Sequence, residues 1–464
     1  MTQLLASIAD EFRGGDLGDL RLSARLVQMA ECLSARPDQP LPDVFLNEAG
    51  LEGAYRFLNN DRVTPSAVLA PHIEATSARA KSAGRLLVLH DTTTLHFDGR
   101  GFGPLRGTGL GEGFYAHVAL AVDATNQRAP LGVLGVRTFE REERPEGQRK
   151  TKEERRADNE MHHWRALVED VLDSIGDVPA VHVMDRQADS FVLLSSMIGR
   201  TDFVVRATHD RVVNTDGERA RALLAAQPVI LQRTVGINAR KGSGWTRDRH
   251  HPVREERTAT LHIMSAPIEL QRPTASNATP RGTTPPLIAM NAVRVVEADP
   301  PEGEQPIEWL LWTTLPTDTA AQVADVVDIY RTRWMIEELF KAVKTGCAYE
   351  QRRLESQHGL LNLFALTIPI ACRLLLLRHL ARQTPDAPAR LVFTRSQLAV
   401  LAATPRAALP DEPTIHDGLW AVARLGGHLR RNGEPGWQVL TRGYHELLVL
   451  EEGWLAARGG RAEM

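Results

Sequence analysis

The sequence predicts an α/β protein, a sheet with helices packed on it, interrupted by a β-rich insertion and flanked by helical segments at both ends. Three observations predict it. Short apolar runs at residues 85–90, 117–122, 131–136, 180–184 and 203–206 read as strands, with an amphipathic helix over 164–175 among them. Between 210 and 305 the helical period gives way to β-like runs at 228–231, 258–263 and 287–296, set among prolines and glycines. Helical periodicity governs residues 1–75 and everything after Val323.

Residues 1–75 make the first segment. Asp19 is placed to N-cap a helix in which leucine and arginine alternate at helical spacing, from Leu20 to Val27. A proline-rich break at 37–42 separates it from a second helix around 51–58, and Arg21, Arg25, Arg56 and Arg62 fall outside the apolar faces. The first part of the sheet occupies 76–209. Its strand at 85–90 is expected to end in the polar turn Asp91-Thr92-Thr93-Thr94, and its strand at 180–184 in Asp185-Arg186-Gln187-Ala188-Asp189. After the insertion at 210–305, Trp309-Leu310-Leu311-Trp312-Thr313-Thr314 resumes the sheet within 306–372, a segment that also holds a helix over 330–344. Residues 373–464 are helical. The apolar stretch 360–377 contains Asn362, Thr367, Pro369 and Arg373, each costly in hydrocarbon, which predicts a buried helix and no membrane partner.

Composition narrows the class. A chain of 464 residues is long for one core, and 43% apolar with 24% charged residues is the make-up of an ordinary globular protein. Cys32, Cys347 and Cys372 form no C-x-x-C pair, which excludes a disulfide framework or zinc ribbon and fits a reducing cytoplasm. The first twelve residues include Asp10 and Glu11 and lack a basic head before an apolar run, so no signal peptide is expected. The net charge of −3 is a whole-chain sum, whereas phosphate binding needs only a local basic surface. From 206 to 257 the chain carries Arg206, Arg211, Arg219, Arg221, Arg233, Arg240, Lys241, Arg247, Arg249 and Arg254; a solvated loop and a DNA contact both fit.

Chemistry gathers at three acids. Asp91 and Asp185 each close an apolar strand, where side chains of open α/β sheets project into a crevice, although a turn or capping aspartate explains either one alone. At about 100° per residue, Tyr330, Arg333, Glu337, Lys341 and Lys344 share one stripe of a helix, opposite Met335, Ile336, Leu339, Phe340 and Val343. A salt-bridged surface helix accounts for that pattern; so does a carboxylate ligating a metal beside bound phosphates. Three carboxylates suit two-metal phosphodiester cleavage, and hard oxygen ligands select Mg2+ or Mn2+. The adjacent pairs His162-His163 and His250-His251 have the wrong spacing to share one metal, and no metal role is assigned to them.

The spacing of Tyr330, Arg333, Glu337 and Lys344 resembles the Y-R-E-K signature of bacterial insertion-sequence DDE transposases, the group that includes the transposase of transposon five. Asp91-Thr92-Thr93 and Asp185-Arg186-Gln187-Ala188-Asp189 resemble the segments that hold the group's first and second aspartates. Similarity continues at Gly18-Asp19-Leu20-Arg21, Gly53-Ala54-Tyr55-Arg56-Phe57 and Ala423-Arg424-Leu425-Gly426-Gly427. The resemblance implies a ribonuclease-H-like catalytic core with a β-rich insertion. It implies Asp91, Asp185 and Glu337 as catalytic ligands of two Mg2+ or Mn2+ ions. It further implies DNA contacts from Tyr330, Arg333, Lys341, Lys344, Arg206 and Arg353, with Trp309 placed to receive an unstacked base; a core tryptophan on a strand is the alternative for that residue. Cut-and-paste chemistry through a hairpin intermediate is implied, with residues 1–75 binding transposon ends and 373–464 pairing two protomers on double-stranded DNA in a bacterial cytoplasm. Gln187 and Thr208 depart from the group's pattern, which bears on phosphate contacts and leaves the carboxylates intact. A catalytically silent, transposase-derived DNA-binding regulator and a nuclease without strand transfer are the competing readings.

Overall fold

The computed structural model describes residues 8–45, 47–105, 111–125, 127–140, 160–214, 217–240, 253–273 and 284–458. Lys241, Arg247, Arg249, His250 and His251 lie outside them. Contacts divide the chain into two compact units. One comprises Met1–Arg149, Ala166–Val178 and Trp334–Met464, the other Lys150–Arg165 and Pro179–Arg333.

The first unit opens with helices α1 (Ile8–Phe12) and α2 (Leu20–Ala35). Asp19 caps α2 by accepting from the Arg21 N–H at 2.8 Å, a contact worth about 1 kcal/mol. The short α3 (Leu41–Val44) fills the proline-rich break, and α4 (Glu48–Leu58) and α5 (Pro65–Ala83) follow. The helix α5 runs through position 75. A buried polar network ties α1 to α5. Glu11, 3% exposed, accepts from Arg79 at 2.6 Å and 3.2 Å and from His72 Nδ1 at 2.6 Å. The Val133 N–H donates to His72 Nε2 at 3.1 Å, so the ring is neutral with its proton toward Glu11. Burial works against the Glu11 carboxylate, but hydrogen bonds from His72 and Arg79 and the Arg79 charge hold its pKa below the usual range.

Strands β1 (Leu86–His96), β2 (Gly113–Asp123) and β3 (Pro130–Phe139) pair antiparallel with β2 central and buried along its whole length. The polar turn expected at Asp91 is not there. Strand β1 continues to His96, with Asp91 opposite Val118 and Thr93 opposite Ala116. Thr92, Thr93 and Thr94 are polar but β-branched, and their stiff side chains suit a pleated strand. Gly132, at φ +127, lets β3 lie against α5, where any side chain would run into Thr76 and His72. Helix α6 (Met161–Ile175) joins this unit through its later turns, where Asp170 pairs with Arg137 at 2.7 Å.

In the second unit, β4 (Ala180–Met184) and β5 (Asp202–Arg206) are parallel, with α7 (Phe191–Met197) in the crossover between them. The β-rich stretch supplies β6 (Val212–Val213), β7 (Glu218–Arg219), the short α8 (Ala220–Ala225), β8 (Leu231–Ile237), β9 (Arg257–Gln271) and β10 (Leu287–Glu297). Strand β11 (Glu308–Thr313) lies antiparallel to both β5 and β10, which makes the insertion continuous with a mixed sheet. Helix α9 (Ala320–Thr332) closes the unit behind a Thr319–Gln322 capping box. Among the described residues, several arginines of the basic stretch are tied in ion pairs. Arg211 pairs with Asp189 at 2.9 Å, Arg221 with Glu308 at 3.0 Å, Arg233 with Asp328 at 2.6 Å and Arg257 with Glu297 at 3.0 Å.

The chain returns to the first unit through α10 (Trp334–Lys341) and a π-helical turn over Ala342–Gly346. The single helix expected over 330–344 is therefore corrected to three pieces. The Arg333 N–H bonds the Tyr330 carbonyl at 3.1 Å, an i→i+3 tightening that ends α9, while the Cys347 N–H reaches back five residues to Ala342 at 2.7 Å. Helix α11 (Gln357–Gln383) is long and apolar enough to cross a membrane by length and composition, yet 89% of its most apolar window is buried, packed on α5 and β3. It runs through position 373. Helices α12 (Arg395–Ala403), α13 (Ile415–Leu425) and α14 (Trp437–Ala457) complete the unit. Gly426 and Gly443 allow α13 and α14 to meet at backbone distance, since a side chain on either would strike the other helix's carbonyls.

Candidate active site

Asp185 follows the last residue of the fully buried strand β4 and caps the 3-10 turn Arg186–Ala188, its Oδ1 accepting from the Gln187 N–H at 2.8 Å. What fixes this turn is Asp189, whose side chain is 1% exposed. Its Oδ1 accepts from Arg211 Nε at 2.9 Å and Trp312 Nε1 at 3.2 Å, and its Oδ2 from the Thr208 and His209 N–H groups at 2.8 Å and 3.2 Å. The Thr208 hydroxyl donates to the Arg186 carbonyl at 2.5 Å. Thr208 thus braces the turn. Sequence reading passed over Asp189, although its place four residues after Asp185 was the available signal.

Around Asp185 the second unit gathers most of the expected DNA-contacting residues. Tyr330, 5% exposed, meets Trp309 edge to face with ring centroids 5.1 Å apart. Arg206 sits 5.9 Å from the Trp309 ring centroid, donates to the Glu308 carbonyl at 3.0 Å and hydrogen-bonds Tyr330. Burial lowers the Arg206 pKa; Tyr330 opposes that shift, while Arg186 and Arg333 reinforce it. Burial likewise raises the Tyr330 pKa, against the pull of Arg206 and Arg333 and with a contribution from the Asp185 charge. Asp185, Arg206, Trp309, Tyr330 and Arg333 therefore form one electrostatic neighbourhood. Tyr330 is packed within it and does not stand on an open stripe.

The first unit holds the other two acids. Asp91 lies mid-strand in β1, 9% exposed, and its Oδ1 accepts from the Thr92 N–H at 2.8 Å. Glu337, half-buried in the first turn of α10, rides on a helix that packs against β1. Thr93 and Leu95 of β1 line one small pocket together with Leu339, Phe340, Val343 and Lys344. Lys344, on the π turn, lies 3.9 Å from Glu350, which accepts the His96 N–H at 3.1 Å. Burial lowers the Lys344 pKa, partly offset by Glu350. Lys341 is exposed and paired with Glu338 at 2.8 Å, and Arg353 is exposed beside the buried Arg352.

Within neither unit, among the described residues, do three His, Cys, Asp or Glu side chains gather as a metal cage. The carboxylates divide two and one: Asp91 and Glu337 belong to the first unit, Asp185 to the second. Their chemistry fits a hard divalent cation, since all three are carboxylates and two are only half-buried.

Residues 6–63 match the transposase DNA-binding family, and residues 151–373 match the transposase DDE domain. The chain carries the two domains of a DDE transposase. Its DDE domain, of a kind that cleaves and joins DNA with divalent metals, includes Asp185 and Glu337 and begins after Asp91. The mixed sheet with its helices fits a ribonuclease-H-like core for this transposase. Among solved structures the chain is similar to a piggyBac transposase synaptic complex with hairpin DNA, at 10% identity and a TM-score of 0.37, covering 100% of this chain and 82% of that one.

Proposed function

We propose that this transposase is a cut-and-paste enzyme of the Y-R-E-K group, similar to the transposase of transposon five, with Asp91, Asp185 and Glu337 as its catalytic carboxylates. The observation that carries the reading is the neighbourhood of Asp185: an acid at a strand end beside Tyr330, Arg206 and Arg333, with the face of Trp309 adjoining. A carboxylate at a strand end among cations and aromatics suits the neighbourhood of a bound phosphodiester.

Two Mg2+ or Mn2+ ions, when bound by these carboxylates, supply activation of the attacking oxygen and stabilisation of the leaving one. The protein's own residues do the rest. Arg333, Lys341 and Lys344 hold phosphate oxygens near the cut, with Arg206 and Arg353 extending the contact. Trp309 offers an aromatic face to a base unstacked at the strained end of a hairpin, which offsets part of the unstacking cost. The freed 3′-hydroxyl closes that hairpin, water opens it, and the same hydroxyl then joins the end to target DNA. Residues 6–63 bind the transposon end, and a homodimer formed through the C-terminal helices brings two ends together.

The test uses a duplex carrying the terminal repeats that flank this reading frame, with Mg2+. Asp185→Ala should abolish nicking, hairpin formation and joining, by about 1,000-fold or more, with end binding retained. Wild-type cutting by that variant would sink the site assignment. Binding by the wild-type chain with no cutting under Mg2+ or Mn2+ would favour the silent regulator instead, and cutting without joined products would favour a nuclease.

A further inference from the structure

Helix α10 has eight residues, too few to hold its own orientation in water. It is cut off from α9 at Arg333 and runs directly into the π turn. Its pose must come from what it touches, and on one side that contact is polar and closed. Glu338, with its side chain 16% exposed, accepts from Arg378 of α11 at 3.0 Å and from the Trp437 indole N–H of α14 at 3.2 Å, both on Oε2. Its Oε1 takes Lys341 at 2.8 Å. The Arg378 guanidinium lies 4.6 Å from the Trp437 ring centroid, so the two donors also brace each other. Burial opposes the Glu338 carboxylate, yet Lys341, Arg378 and Trp437 together hold its pKa below the usual range.

A second contact lies one helical turn along α14. Thr441 is 0% exposed and faces Gly346, where an added side-chain carbon would sit 3.4 Å from its hydroxyl. That hydroxyl has no hydrogen-bond partner among the described residues. The helix α14 therefore meets the α10 segment at both ends, through Trp437 at Glu338 and through Thr441 at the close of the π turn that carries Lys344. A π turn is the place where a helix can shift register by one residue.

We propose that Glu338 is a positioning residue: it clamps α10 to α11 and α14, and so lets the C-terminal helices set the rotation of Glu337 beside it. The inference rests on the reading of Glu337 as catalytic. Adjacent residues on a helix differ by about 100°, so locking one carboxylate fixes the direction of its neighbour. Removing Glu338 leaves Arg378, 14% exposed, and the Trp437 N–H without their carboxylate, and α10 loses its polar hold on that side.

The full chain, on the duplex with its own terminal repeats and Mg2+, tests this by single-turnover cleavage, end-binding affinity and thermal melting. Glu338→Ala should slow cleavage about 10- to 100-fold at saturating protein, with end binding unchanged. Glu338→Gln should restore most of the rate, because its amide oxygen still accepts from Arg378 and Trp437. Trp437→Phe keeps the ring under Arg378 but loses the N–H, and should fall between; it decides the matter if Glu338→Ala does not fold. Wild-type rates in Trp437→Phe and Glu338→Ala overturn the proposal, as do equal losses of binding and cutting. Glu337→Gln is the control: if it still cuts, the reading of Glu337 has failed and the proposal with it, whereas its inactivity beside a fully active Glu338→Ala condemns the clamp alone.

Discussion

The stretch from Tyr330 to Lys344 behaves as two regions with opposite logic. Upstream of Trp334, Tyr330 and Arg333 belong to the unit of Asp185, where an aromatic pair and a buried arginine share one neighbourhood. Downstream, Glu337, Lys341 and Lys344 sit on a short helix and a π turn whose polar groups are tied by carboxylates, Glu338 and Glu350. The upstream half is held by packing, the downstream half by anchors. Under the proposed function, these residues serve one reaction from two differently built supports.

The largest expected effect is that of acid on the upstream support. The upstream half stands on the unit containing β4, where His182 is fully buried and burial pushes its pKa down to about 4. A folded-state value below the unfolded 6.5 means that stability is complete above about pH 6.5 and is lost as pH falls toward 4, because the unfolded chain gains the proton first. The loss should approach 3 kcal/mol, roughly, by pH 4. His182→Gln should flatten the urea midpoint of that unit across this window; an unchanged pH slope would assign the effect elsewhere.

Next in size is the aromatic face. Trp309→Ala should lower hairpin formation about 10- to 100-fold, as expected for a lost base stack, while Trp309→Phe keeps most of it. Equal rates for the two variants would return Trp309 to the role of a core residue. The smallest effect concerns the downstream cations. Lys344→Ala should reduce the slope of log affinity against log salt by about one, and Lys341→Ala by less, because the Lys341 ammonium is already engaged with Glu338. A larger effect at Lys341 would mean that DNA displaces that pair.

Much of this was legible in the sequence. Asp185 could be read because Ala180–Met184, apolar except for His182, ends abruptly in a charge. The strand containing Asp91 was found but cut short, since three threonines look like a turn by polarity and like a strand by shape. The helix break at Arg333 left no mark, because Ile329, Ile336, Leu339 and Val343 keep an apolar rhythm through it and all are buried. Trp334, at 57% exposure, is the one apolar residue out of step. The braces were beyond reach for a different reason. Glu338 with Arg378 and Trp437, and Asp189 with Arg211 and Trp312, join residues far apart in the chain, and no local spacing encodes such pairs.

The discontinuity of the first unit sets a schedule for biosynthesis. The helix α11 covers α5 and β3, and Trp437 clamps α10, yet both are made long after the surfaces they complete. A chain leaving the ribosome at roughly 5–20 residues per second exposes that apolar face until the last third of translation. The DNA-binding segment at 6–63 emerges first and the second unit can close on its own contacts, while the helix of Glu337 is seated last.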